Sequence, residues 1–528
     1  MATRHEPDAA RGRRAALVVV CGILALTFLD TTVVSVSLSS IQDSLHFGVT
    51  GLQWIVDAYA LAFASLMLTG GTLGDRFGRR RVMLVGLVVF CLASLAGAVA
   101  SSRGVLIAAR AVMGVGAAAS EPGTLSVLRH IFPDHRGRAR ALSVWAAVSC
   151  LGLALGPLVG GVLVSLWSWR AVFWLNVLVG AVLYVAARAF VAESADPATA
   201  KVDVAGQVLG VVAIGSIVTA MIQGESSGYG SAGIVALFVV GAVCLFAFVA
   251  CERAATYPML DVRYFRRLRF TAALVVSFAV YFGTFSIFFF TALYLEDVVK
   301  YSGYRTAALF VPMTVLMVGG AIWAGRLVVG RGGRWTMAAG CLVAGSGIAI
   351  SEPLLSTHPS FGALTASLGL TGLGMGLAMV PVTVLVLDVV PPEHSGMAAS
   401  ATNTARQLGV VFGVAILGGL VNHRLTADLR QRLSELHIPS FFQGSIINAY
   451  EHGGTAKGGS LSGIKALFPS FIDRIYDAAY GAFHSGLSTA LFVSATLIGL
   501  AALVAGWSAA RGPAATRLPL TANRPPQD

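Results

Sequence analysis

The chain has 528 residues, of which 56% are hydrophobic and 12% charged, and a formal net charge of +12. Soluble proteins carry roughly 25% charged residues, and a soluble domain of this length could not hide so much apolar surface, whereas helices facing lipid need not hide it. The basic balance would suggest nucleic acid in a soluble chain, but here it follows from where the arginines sit, so no nucleic-acid partner is expected. Six cysteines (Cys21, Cys91, Cys150, Cys244, Cys251, Cys341) lie in apolar stretches without a CxxC pair, which argues against disulfides and against a metal site.

Arg11, Arg13 and Arg14 precede an apolar run that begins at Ala15. The run is too long for a signal-peptide core and no small-residue cleavage site follows, so it reads as the first membrane span. At about 20 apolar residues per crossing, the spacing predicts fourteen spans. They lie at 15–38, 51–74, 82–101, 104–127, 139–166, 170–191, 204–223, 231–251, 270–295, 305–329, 335–355, 361–389, 395–422 and 484–508. An even number puts both termini on one side. With that side cytoplasmic, 25 of the 37 Lys and Arg fall in the tails and inner loops, against four in the short outer loops (Arg103, Arg170, Lys300, Arg305). That asymmetry predicts cytoplasmic ends and accounts for most of the net charge.

The loop after span 2 reads Gly71, Thr72, Leu73, Gly74, Asp75, Arg76, Phe77, Gly78, Arg79, Arg80, Arg81. The loop after span 10 aligns with it without gaps: Gly325 meets Gly71, Leu327 meets Leu73, and Gly332 meets Gly78. Two related six-helix halves with spans 7 and 8 inserted between them would place these loops at equivalent points, an arrangement that transporters use with the substrate site between the halves. The corresponding division is a tail 1–14, a first bundle 15–191, an insert 192–269, a second bundle 270–508 that includes an outer loop 423–483, and a tail 509–528.

Five motifs in order carry a family resemblance. Leu29, Asp30, Thr31, Thr32, Val33 and Val34 lie in span 1, and the Gly71 to Arg80 sequence follows span 2. Arg110, Gly114 and Gly116 lie in span 4, and Gly152, Gly156, Pro157, Gly160 and Gly161 in span 5. Trp169, Arg170, Phe173 and Asn176 open span 6. Together they resemble the major facilitator superfamily, in its fourteen-span drug:proton antiporter branch. The chain departs from the branch pattern at Ser35, Ser39 and Met113, and adds Glu121 and Pro122 to span 4. The resemblance implies an all-α polytopic membrane protein with 14 transmembrane helices, two six-helix bundles plus a two-helix insert. It implies a monomer in the cell membrane that is not an enzyme. Its partners would be protons and an amphipathic or cationic small molecule, with the proton-motive force in place of any cofactor. The alternative on the same fold is a dedicated exporter of an endogenous metabolite or lipid. Nothing fits the GxxxxGK[ST] loop, so direct ATP drive is not expected.

Ionisable groups inside a membrane are costly and normally face the bundle interior or a cavity. Asp30, Asp57, Arg110 and Glu121 meet that description and are the candidate proton-coupling or substrate residues. Asp30, Asp57 and Arg110 fall at similar depth, and Glu121 shares a helical face with Arg110 about 16 Å deeper at 1.5 Å per residue. A solvated role for Asp57, and for Glu121 a bond to Arg110 or to backbone freed by Pro122, are the structural alternatives. The family resemblance implies that Gly71, Asp75, Arg76, Gly78, Arg79 and Arg80 form a conformational latch, Asp75 accepting from a helix N-terminus or from an arginine across the halves; the arginines read equally as a topology anchor. Gly152, Gly156, Gly160 and Gly161 with Pro157 give a small-residue face for close helix approach. Asp388 and Arg406 read as an inner gate or helix tie. In the outer loop, Leu425, Leu429, Leu433 and Leu436 form one stripe and Phe468, Phe471, Ile472 and Ile475 another. They suggest two short amphipathic helices lying on the outer membrane surface or over the transport mouth.

Overall fold

The computed structural model describes residues 6–46, 48–132, 135–195, 203–255, 260–356, 359–390, 395–436, 438, 443 and 469–510. The helices in chain order are α1 (Glu6–Val33), α2 (Leu38–Leu45), α3 (Val49–Phe77), α4 (Arg79–Ala98), α5 (Arg103–Ile131), α6 (His135–Leu166), α7 (Arg170–Phe190), α8 (Val204–Ser227), α9 (Ala232–Ala254), α10 (Leu268–Asp297), α11 (Gly303–Arg331), α12 (Gly333–Ser351), α13 (Phe361–Val389), α14 (Ser395–Glu435) and α15 (Pro469–Ala510). All but α2 correspond to the expected spans, and twelve of them are long and apolar enough to cross a membrane over their described residues. The other two differ for local reasons. α3 bends by 50° between Gly51–Met67 and Thr69–Phe77, and in α6 Leu155–Leu166 is a shorter apolar stretch among the described residues.

The packing repeats between the halves. In the first, α3 and α4 pack on α5, α1 on α5, α6 and α7, and α4 on α7. In the second, α11 and α12 pack on α13, α10 on α13, α14 and α15, and α12 on α15. Two seams join the bundles, α6 against α11 and α3 against α14, and these too are counterparts. The aligned glycines agree with this symmetry. Gly78 and Gly332, which meet in the sequence repeat, have φ of 106° and 81° and divide α3 from α4 and α11 from α12. The inserted α8 and α9 pack on each other, with α8 against both α3 and α14. α9 turns its apolar surface outward, Phe246 being 78% exposed.

Three expectations change. The first span breaks at Val33: a single 3-10 turn (Ser35–Ser37) leads into α2. The hydroxyls of Thr31, Thr32 and Ser37 donate back to the Thr27, Leu29 and Val34 carbonyls, which competes with regular helix. The outer loop is shorter than expected, because α14 and α15 continue into it. Leu425, Leu429, Leu433 and Ile438 bury themselves against Ala478, Ala479 and Ala482, with Leu436 and Phe483 at the edge. The stripe on α14 is thus covered by α15 in a hairpin, not by a membrane surface. Phe468 and the Gly/Ser-rich break at 453–463 lie outside the described residues, as do the tail ends.

Candidate functional site

Asp30 is placed just before the helix break in α1 and is fully buried. Its Oδ2 accepts from Arg110 Nη1 at 2.6 Å and its Oδ1 from Asn176 Nδ2 at 2.6 Å. Arg110 also donates from Nε to the Ile55 carbonyl at 3.0 Å and lies over the Tyr59 ring, 4.4 Å from its centroid. Tyr59 in turn donates to the Thr27 carbonyl at 3.1 Å. Four helices of one bundle, α1, α3, α5 and α7, therefore converge on a single closed ion pair. Breaking one partner of such a pair leaves a buried uncompensated charge, which costs several kcal/mol. Asn176 was visible in the span-6 motif but was not singled out as a site residue.

Asp57 is also fully buried, yet neither carboxylate oxygen has a hydrogen-bond partner among the described residues. A solvated position near the outer end of the helix is therefore not what the fold provides. Its helix face is set by neighbours one and several turns away: Gln53 packs on Gly418 of α14, and Gly71 lies 3.2 Å from Ser400 Oγ of α14, measured from where a Cβ would stand. Asp57 follows Gln53 by one turn on α3, the helix that packs on α14 where the bundles join. An unpaired polar group in such a place is expensive to maintain, and structures keep such groups where a ligand or ion completes them.

Glu121 does not pair with Arg110, nor with backbone freed by Pro122. Its Oε1 accepts from Asn403 Nδ2 on α14 at 3.0 Å, across the seam, while Oε2 has no partner among the described residues. Asn403 Oδ1 accepts from Arg406 Nη1 at 3.1 Å, and Arg406 Nη2 donates to Thr383 Oγ1 on α13 at 3.0 Å. The Ala118 carbonyl that Pro122 leaves without its usual donor sits against Gly70 of α3, too close for any side chain there. Arg406 thus ties α13 to α14 as expected, and in addition reaches the first bundle through Asn403. The signal in the sequence was the polar run Thr402, Asn403, Thr404, Arg406, Gln407 inside an otherwise apolar span. At the far end of the bundles from the Gly78 turn, Ser39 of α2 hydrogen-bonds Glu296 of α10, a second polar tie between halves.

The loop after α3 is held locally. Asp75 pairs with Arg79 at 2.8 Å, four residues on, and among the described residues no arginine of the other half reaches it. Arg76 is exposed over the Phe77 ring. Gly78 and the first turn of α4 face Glu193, whose carboxylate accepts from the Arg80 and Arg81 backbone nitrogens at 3.0 and 3.2 Å. Arg80 Nη1 donates to the Val191 carbonyl at 3.2 Å. A carboxylate on free N–H groups at a helix start is favourable on both hydrogen-bonding and dipole grounds. Glu193 is the residue that sequence reading missed here, since one acid in a polar connector carries no pattern.

Gly152, Gly156 and Gly160 bring α6 onto α1 rather than onto the other bundle: Cβ atoms there would meet Ala25, Thr32 and Val33 respectively. Pro157 follows, buried. Gly161 points the other way, onto Gly303 and Ala307 of α11, so one turn of α6 serves a contact within the bundle and one between bundles.

Two bundles related by repetition, joined at two seams with buried ionisable groups between them, define a membrane carrier. Residues 20–414 match the model of the Major Facilitator Superfamily, and the chain belongs to that superfamily. It is 33% identical over 424 residues to the multidrug resistance protein Stp of Mycobacterium tuberculosis, covering 80% of this chain and 78% of that protein. It is 33% identical over 512 residues to the drug efflux pump JefA of the same organism, covering 94% and 98%. Among solved structures, a bacterial homologue of the human lysosomal transporter Spinster, inward-facing and occupied, aligns with a TM-score of 0.61 over 94% of this chain and 97% of that one at 15% identity. That likeness concerns the fold.

Proposed function

We propose that the protein is a secondary antiporter of the cell membrane, exporting an amphipathic or cationic small molecule in exchange for protons. The observation that carries this reading is Asp57: a fully buried carboxyl with no hydrogen-bond partner among the described residues, on the helix that packs against the other bundle. A cation, whether a proton or a charged substrate group, completes it. Relatives named as multidrug resistance and drug efflux proteins support the substrate class. Alternating access would rock the bundle of residues 15–191 against that of residues 270–508, with 192–269 as an insert, both termini cytoplasmic and one chain sufficient. The roles follow the geometry. Asp57 and Glu121 exchange cations, whereas Asp30 with Arg110 holds one bundle rigid and sets the field on both acids. Asp75, Arg79, Arg80 and Glu193 brace the cytoplasmic turn, and Gly161 permits sliding at α6–α11.

Uptake of ethidium, an aromatic cation, into proteoliposomes under an imposed pH gradient tests the reading. Accumulation that collapses when the gradient is dissipated is expected. Equilibration without accumulation, independent of the gradient, overturns it in favour of a channel.

A further inference from the structure

Glu121 and Arg406 stand in different bundles, and the same Asn403 side chain bonds both, at 3.0 and 3.1 Å. All three are buried. The amide is aligned by the two charges: its Nδ2 donates to the carboxylate and its Oδ1 accepts from the guanidinium. Thr383 fixes the guanidinium from α13, and Tyr281 of α10 presents its ring at 5.7 Å. Arg406 Nε has no partner among the described residues, and the side chain borders a small cavity with Val280, Tyr281, Met379 and Val382.

Other ionisable groups stand on the helices around Glu121, with Arg103 and His130 exposed near the two ends of α5. Asp30 on α1 and Arg110 on α5 are paired with each other. On α3, Tyr59 donates to Thr27 and Asp57 has no partner. The charges of α4 stand at its first turn with Asp75 and Glu193, and the described side chains of α6 carry none. Among the described residues, Arg406 is the cation that hydrogen bonds connect to Glu121.

We propose that Asn403 and Arg406 are positioning residues that make proton and cationic substrate mutually exclusive at Glu121, and that their clasp opens when either one arrives. While ionised, the carboxylate balances the guanidinium and holds the bundles together through charge-assisted bonds, which are stronger than neutral ones. A proton on the carboxyl weakens the bond from Asn403, and a cationic group displaces it. In both cases Arg406 becomes an unbalanced cation in a medium that screens poorly, and it repels a second positive charge. One positive charge opens the tie; two cannot be held. This deepens the antiporter reading and rests on it.

Equilibrium binding of ethidium to the purified full chain, at neutral and at acid pH, reads the exclusion directly. The parent is expected to lose about tenfold in affinity on acidification, a typical coupling between linked sites. In Arg406→Gln and in Asn403→Ala that loss shrinks to about twofold, while Arg406→Lys, which keeps the charge, retains most of it. A purely structural role would lower affinity equally at both pH values and leave the parent's acid effect intact, and that result in both variants overturns the proposal. Should Arg406→Gln fail to fold, Asn403→Ala decides alone, because it keeps both charges and the Arg406–Thr383 bond and removes only the amide that links them. A parent without any acid effect removes the antiporter reading itself, and the clasp with it.

Discussion

Asp30 and Arg110 form an ion pair of 2.6 Å with neither side chain open to solvent, and both belong to the same bundle. The pair cannot be parted by rocking one bundle against the other. That separates it from Glu121, whose partner Asn403 stands in the other bundle, and from Asp57, which has no partner among the described residues. Removing one partner should therefore act first on stability. Asp30→Asn is expected to cost about 3–5 kcal/mol, as for other broken buried pairs, seen as a lower melting temperature in detergent. Asp30→Asn combined with Arg110→Gln should recover most of that loss without recovering transport. A double variant as unstable as the sum of the singles would mean that the two residues do not act as a pair.

Asp57→Asn should behave in the opposite way. The carboxyl makes no hydrogen bond to the described residues, so the change is expected to shift stability by no more than about 1 kcal/mol, or to raise it. Ethidium affinity should fall about tenfold, the loss of one charge-assisted contact. Melting temperature and binding, measured on one preparation, check both halves of the statement.

Much of this architecture is written in the order of residues, and some of it is not. Apolar run lengths place the spans, and the Gly78–Gly332 alignment anticipates two turns that share a left-handed backbone. Asp30 and Arg110 are recognisable because charge inside an apolar helix is rare. The partner of each charge is a different matter. Glu121 lies eleven residues from Arg110 on one face, and periodicity alone makes them neighbours, yet it bonds Asn403, 282 residues away. Helix rotation about the seam decides this, and no local pattern encodes it. The outer stripe failed for a similar reason: Leu425 to Leu436 has an apolar face, and only the course of α15 reveals that protein covers it.

The glycines of α6 permit a controlled comparison. A side chain at Gly156 would collide with Thr32 and the backbone of Val33, and one at Gly161 with Ala307 and the Gly303 backbone. Gly156→Val should part α1 from α6 and cost about 1–3 kcal/mol of stability, the range for overpacked sites. Gly161→Val, at a seam between bundles, should leave the melting temperature closer to that of the parent and reduce the transport rate more than ethidium affinity. Initial rates in proteoliposomes set beside binding separate the two.

The outer hairpin should be an energetically separate unit. Leu429 is 1% exposed in its small cluster, and Leu429→Ala is expected to cost about 2–5 kcal/mol locally. Hydrogen exchange should quicken in 423–436 and 474–483 while the helices around Asp30 keep their protection. Equal quickening in both regions would show instead that the hairpin and the bundles unfold together.

The turn between α3 and α4 offers one more test. Glu193→Ala removes the acceptor for two backbone N–H groups of α4, a loss worth about 1 kcal/mol at an ordinary helix start. Glu193→Gln, which keeps an acceptor oxygen, should lose less. Thermal melting of the pair orders them.

At Gly78 and Gly332 the backbone sits where side chains are strained whatever the space around them. Surroundings differ: Glu193 crowds the place a Cβ would take at the first, and among the described residues nothing beyond the chain neighbours lies within 4 Å of that place at the second. Size therefore cannot explain why both positions hold the same residue. At these two equivalent turns the packing differs and the handedness of the joint does not, so handedness is what the two halves hold in common there.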